Sequence, residues 1–193
     1  MATPPREMPS PNQCAESTRI ETKRRPANGV GASSCVMADV LTPEQRRLNM
    51  SRIKGTDTKP EMLVRKALHA LGFRYRLHDR TLPGRPDLVL PRYRCVILVH
   101  GCFWHRHHCH LVKKPATRAA FWEEKLAGNE ERDRQAISAL RTDGWRVAII
   151  WECALRGTTK QPFGRIIERL ARYITNGKKA MLEVTGDEEF SSG

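Results

Sequence analysis

The chain has 193 residues and is 39% hydrophobic, enough for one sizeable core and too little for two full domains. Its 34 Lys and Arg against 21 Asp and Glu leave a formal charge of +13, which favours a polyanionic partner and exceeds what solubility needs. The sequence has no apolar run near the roughly 18 residues of a spanning helix, and its N-terminus lacks the apolar core of a secretory signal. The six cysteines are therefore expected in a reducing compartment, as metal ligands or buried small residues rather than disulfides.

In chain order, residues 1–36 carry five prolines and no periodic apolar pattern, and read as a disordered N-terminal extension. MADVLTPEQRR, from Met37, reads like a natural start, so the extension with Cys14 and Cys35 is expected to be dispensable. Thr42, Pro43 and Gln45 form an N-cap, a first-turn proline and a capping-box partner for a short helix to about Lys54. Thr58 and Glu61 repeat the pattern, and Met62, Val64, Leu68 and Leu71 give the next helix an apolar face that stops at Gly72.

A strand is predicted over 73–77, a turn at LPGRP (82–86) and a buried strand at DLVL after it. CVILVH (95–100) is the most strand-like run. TRAAFWEEKLAG and NEERDRQAISALRTDG read as two helices, WRVAIIW (145–151) as a fourth strand and 163–175 as a last helix. Strands separated by helices, with apolar runs too continuous for one-sided burial, predict an α/β core with a mixed central sheet flanked by helices. The organisation expected is a domain over 37–177 and a flexible C-terminal tail, 178–193.

HGCFWHRHHCH (100–110) holds five of the seven histidines. Cys102, His107 and Cys109 have a C-x4-H-x-C spacing that lets one loop wrap a tetrahedral ion, and a structural zinc wants a fourth thiolate or imidazole. Cys153, just past WRVAIIW, is the candidate, since the ends of two neighbouring strands would meet there. His100, His105, His108 and His110 leave the choice of imidazole open. Asp87 in GRPDLVL resembles the PD half of the PD…(D/E)xK nuclease signature, although Leu98-Val99-His100 stands where an acid and a lysine are usual.

The run from MADV through LPGRPDLVLPRYRCVILVHGCFWHRHHCHLVKKPATRAAFW to ERDRQAISALRTDGWRVAIIWECALRG resembles the very-short-patch-repair (Vsr) endonucleases over about residues 37–157. That resemblance implies a restriction-endonuclease-like core with a structural zinc loop. It also implies a bacterial, cytoplasmic, nucleoid-associated enzyme that nicks DNA 5′ to the T of a T·G mismatch left by deamination of 5-methylcytosine. Asp87 matches the main Mg²⁺ ligand, helped by the Val99 carbonyl. His105 matches the general base and Asp133 the acid that orients it, with Glu61 and His100 at further active-site positions. Cys102, His107, Cys109 and Cys153 match the zinc ligands. Phe103, Trp104 and Trp122 match rings that wedge into the base stack, and Met50 a residue that enters from the opposite groove. Arg106 departs from what is often a pure histidine run.

The partner implied is double-stranded DNA carrying a T·G mismatch, met by a monomer, with mismatch-repair proteins as candidate assistants and no membrane. Local structure offers competing roles: Glu61 as a capping acid, Trp122 as core, Asp133 as a helix-face charge. Trp145, Trp151 and Cys95 are assigned to the core, and the sequence identifies no partner for His69 or His78. A zinc-containing non-catalytic DNA-binding module and a sequence-specific double-strand restriction endonuclease are the alternative functions.

Overall fold

The computed structural model describes residues 42–115 and 117–186, so the expectation for residues 1–36 lies outside the described residues. Helix α1 (Pro43–Ser51) and helix α2 (Lys59–Ala70) both open on complete capping boxes, Thr42 with Gln45 and Thr58 with Glu61. The chain then forms β1 (Arg76–Leu77), β2 (Leu88–Leu90) and, after a 3-10 turn, β3 (Cys95–His100). Helix α3 (Ala119–Thr142), β4 (Arg146–Trp151), the single-turn α4 (Glu152–Leu155), α5 (Phe163–Asn176) and β5 (Met181–Val184) complete the order.

Three expectations are corrected. The two helices expected either side of Gly128 are one 24-residue helix, α3. A mid-helix glycine costs only about 1 kcal/mol, less than α3 gains by burying Leu126 and Leu140. Helix α1 ends at Ser51 rather than near Lys54. Residues 181–184, expected in a flexible tail, form β5, with Leu182 and Val184 buried. A four-residue strand is too short to stand out by its periodicity, and its partner is supplied by β4.

The five strands lie in chain order, β1 to β5. β1, β2 and β3 pair antiparallel, while β3, β4 and β5 run parallel. One face buries Val64 and Leu68 of α2 with Ile166, Leu170 and Ile174 of α5 against Ile97 and Ile150. The other buries Leu140 of α3 against Val96, Val147 and Ile149, together with Cys102 and Cys153. Helices thus cover both faces of a mixed sheet, as its continuous apolar strands require. Among the described residues no helix is long and apolar enough to cross a membrane.

This topology sets up one edge of the sheet. β3 and β4 are parallel with His100 opposite Trp151, so both chains leave the sheet side by side. β2 runs the other way, with Leu88 opposite Ile97, which brings the residue before it, Asp87, to the exit end of β3.

Candidate active site and metal-ligand cluster

Asp87 turns its carboxylate onto β3, where Oδ2 accepts the Val99 N–H at 2.7 Å. A strand residue directs its N–H and C=O toward the same neighbour, so the Val99 carbonyl faces the Asp87 side of β3. Behind the carboxylate is His78, whose Nδ1 is 3.8 Å from Asp87 Oδ1 and whose Nε2 is 3.2 Å from Glu61 Oε1. Glu61 is 1% exposed. Its two oxygens divide between capping and the site: Oε2 accepts the Thr58 N–H at 3.3 Å while Oε1 faces Arg65 at 3.3 Å and His78. Burial pushes the Asp87 carboxyl up to about 6, with the Val99 N–H opposing and Glu61 adding to the rise. A carboxylate set against the β3 backbone offers the oxygen donors that a hard divalent cation prefers.

Past β3 the chain turns tightly, Trp104 N–H and His105 N–H both donating to the Gly101 carbonyl at 3.0 and 3.2 Å. The turn puts His105 Nδ1 2.5 Å from Asp133 Oδ2 on α3. His100 stacks on His105, centroids 3.9 Å apart and planes within 2°. Burial, reinforced by His105, holds the His100 imidazole down at about 3, so it is neutral at neutral pH. His105 reaches Asp133 through Nδ1, and its second ring nitrogen could donate or accept a proton.

The four residues of the expected zinc set converge. The ligand atoms of Cys102, His107, Cys109 and Cys153 all lie within 4.8 Å of one another. Cys153 Sγ is 3.6 Å from His107 Nδ1, and the Cys153 N–H donates to Cys102 Sγ at 3.3 Å. The neighbouring ends of β3 and β4 bring Cys102 and Cys153 together. The His107 ring stacks on Trp151, centroids 4.2 Å apart. Burial, with the neighbouring Cys109 and Cys153 thiols, pushes Cys102 above the usual thiol range. Three thiols and an imidazole at this spacing could hold a metal ion. Of the other histidines that spacing left open, His110 Nε2 instead accepts the Thr158 N–H at 3.3 Å.

Phe103 and Trp104 meet edge to face at 5.1 Å, and Phe103 meets Trp122 at 5.5 Å. All three are only partly buried, so Trp122 joins an aromatic group at the surface rather than the core. Phe121, 43% exposed, and Lys125, with its ammonium 5.6 Å from the Trp122 ring centre, extend the group and were not identified from the sequence. Met50, on α1, is 36% exposed and does not line the cleft described next.

A cleft of about 670 Å³ is lined by Glu61, Asp87, Phe103, Trp104, His105 and Asp133. His105 and Asp133 also border a groove of about 1090 Å³ that runs past Trp145 to Met181, but Asp87, Glu61 and the wedge candidates lie outside it. The chemistry-bearing groups belong to the smaller cleft.

Three residues that sequence reasoning missed or left open find partners here. His78 stands between Glu61 and Asp87, while His69 meets the Tyr75 ring edge to face at 6.4 Å. Arg106 takes a left-handed φ of 54° and pairs with Glu123 and Glu130, tying the loop to α3. The spacing of Glu123 and Glu130, two turns apart on one helix, is the sequence signal for a shared partner.

A family model described as DNA mismatch endonuclease Vsr matches residues 38–111. The DNA mismatch endonuclease Vsr of Escherichia coli (strain K12) is 49% identical over 151 residues, covering 78% of this chain and 97% of that protein. The type II nicking enzyme V.XorIIP of Xanthomonas oryzae pv. oryzae is 46% identical over 119 residues, 62% of this chain and 88% of its own. V.NmeAIP of Neisseria meningitidis, also a type II nicking enzyme, is 42% identical over 138 residues, 72% of this chain and 97% of its own. With near-complete coverage of relatives at this identity, the chain belongs to the Vsr family of DNA mismatch endonucleases.

Proposed function

We propose that the protein is a Mg²⁺-dependent endonuclease that nicks one DNA strand 5′ to the T of a T·G mismatch arising from deamination of 5-methylcytosine. The observation that carries this reading is one cleft that joins the Asp87 carboxylate, the His105–Asp133 pair and the Phe103 and Trp104 rings. Asp87 and the Val99 carbonyl are the residues that would hold Mg²⁺, by the preference of that ion for hard oxygens. When bound, the ion supplies neutralisation of the charge that develops on the scissile phosphate.

The remaining steps belong to the side chains. With Nδ1 engaged by Asp133, His105 presents Nε2 to take a proton from the attacking water. Asp133 holds the ring in that tautomer and orientation. His100 supports the ring from its other face by stacking. Phe103, Trp104 and Trp122 wedge into the base stack, with Met50 entering from the opposite groove. Unstacking costs a few kcal/mol per step and least at a mismatch, so discrimination begins there. Cys102, His107, Cys109 and Cys153 hold a structural zinc that fixes the loop, so that Phe103 and Trp104 face the DNA while His105 faces the phosphate. The surplus of positive charge supports DNA binding, and nicking a single strand requires no more than a monomer.

The test is a duplex with a single T·G pair, labelled on either strand, compared with matched duplexes in Mg²⁺ and in EDTA. One nick, on the T strand, with Mg²⁺ and the mismatch both required, is the expected result. Binding without cleavage would indicate a DNA-binding module, and cleavage of both strands of a matched site a restriction enzyme.

A further inference from the structure

His78 follows β1 directly. Arg76 stands opposite Val89 and Leu77 opposite Leu88, and continuing that antiparallel register by one pair sets His78 opposite Asp87. The two residues meet twice. The His78 N–H donates to the Asp87 carbonyl at 3.3 Å, and the ring is 3.8 Å from the Asp87 carboxylate. On its other side the ring is 3.2 Å from Glu61, itself fixed by Thr58 and Arg65. One chain of contacts thus runs from the start of α2 through Glu61, His78 and Asp87 to the Val99 N–H on β3.

Two features of His78 are costly for a simple turn residue. Its φ of 47° is left-handed, which costs an L-residue roughly 1–2 kcal/mol. Its Nε2 is buried without a well-directed hydrogen bond, despite the nearby Glu61 oxygen. Such arrangements persist where the surroundings hold them in place, and they collect at functional sites.

We propose that His78 is a positioning residue for the catalytic metal site, aiming the Asp87 carboxylate and so setting its affinity for the divalent cation. The inference rests on Asp87 being the cation ligand. Groups that orient a metal ligand typically contribute 10- to 100-fold in affinity or activity.

The test uses the zinc-loaded full chain and Mn²⁺ as probe, with free Mn²⁺ read by its paramagnetic resonance signal, in the presence of a pre-nicked T·G duplex. His78→Gly removes the ring but keeps the left-handed backbone at no steric cost. Its Mn²⁺ dissociation constant, and the metal concentration giving half-maximal nicking, are expected to rise about 10- to 100-fold. Zinc content and T·G binding in metal-free buffer stay unchanged. His78→Asn, which tolerates the same backbone and places an amide near the position of Nδ1, restores most of the affinity. Wild-type Mn²⁺ binding by His78→Gly would overturn the proposal. So would loss of zinc and duplex binding in step with Mn²⁺, which marks a structural role, or rescue by His78→Gln and not by Asn, which assigns the ring to Glu61 instead. Wild-type Mn²⁺ binding by Asp87→Asn would overturn the ligand assignment itself, a different result from failure at His78 alone.

Discussion

His105 Nδ1 lies 2.5 Å from Asp133 Oδ2, although the residues are 28 positions apart. The contact ties the Cys/His-cluster loop to α3 and selects which imidazole nitrogen faces the cleft. His105→Ala is expected to retain zinc and T·G binding, since affinity comes mainly from phosphate contacts and stacked rings. It should nick roughly 10²- to 10⁴-fold more slowly, the usual contribution of a positioned base. Asp133→Asn should fall between it and wild type. Single-turnover nicking and filter binding check both, and weakened T·G binding by His105→Ala would count against its role as base.

Cys153, in α4 just past the end of β4, joins Cys102, His107 and Cys109 in one cluster of ligand atoms. Cys153→Ala should lose the metal and lower the unfolding midpoint sharply. Structural zinc contributes on the order of 10 kcal/mol in small metal-folded domains, and less is expected here because the sheet has its own core. His107→Ala should lose zinc, binding and cleavage together, unlike His105→Ala. Zinc per chain by atomic absorption, set against thermal unfolding, tests this, and a zinc-free His105→Ala beside a zinc-loaded, inactive His107→Ala would exchange the two roles.

Burial holds the Asp87 carboxyl at about 6, above its ordinary 3.8. Below about pH 4 the group is protonated folded and unfolded alike and contributes nothing. Above about pH 6 it is ionised in both states, and the folded state bears a desolvation cost of about 3 kcal/mol. Asp87→Asn keeps an acceptor for the Val99 N–H and removes the charge. Zinc-loaded and magnesium-free, it should be more stable than wild type at about pH 8, with the advantage vanishing near about pH 4, while nicking is abolished. Urea unfolding at the two pH values measures it; equal stability at the higher pH would refute the desolvated carboxylate.

Phe103 and Trp104 pack edge to face at the cleft while remaining partly exposed. Replacing both by Ala should leave zinc in place and reduce the preference for T·G over matched duplex by about tenfold or more, since a stacked ring contributes about 1–3 kcal/mol. Competition binding decides it, and an unchanged preference would return the rings to a packing role.

Much of the fold was legible because its signals are local. Both capping boxes and the apolar runs of β2, β3 and β4 act within a few residues, and tertiary packing did not oppose them. β5 was not legible, because four residues carry little periodicity and the ladder comes from β4. The expected break in α3 at Gly128 did not form, because Leu126 and Leu140 bury on either side of it.

The sequence by itself determined the kinds of donor present: cysteines and histidines crowded into 100–110, the Asp87 carboxylate of GRPDLVL, and surplus positive charge. Only the tertiary structure decided where each donor points. In a short irregular loop no periodicity fixes side-chain direction, so spacing alone could not assign one imidazole to the cysteines, another to Asp133 and a third to Thr158. His78 had no partner in the sequence because Glu61 and Asp87 reach it through α2 and the β1–β2 register, contacts that exist once the sheet has formed.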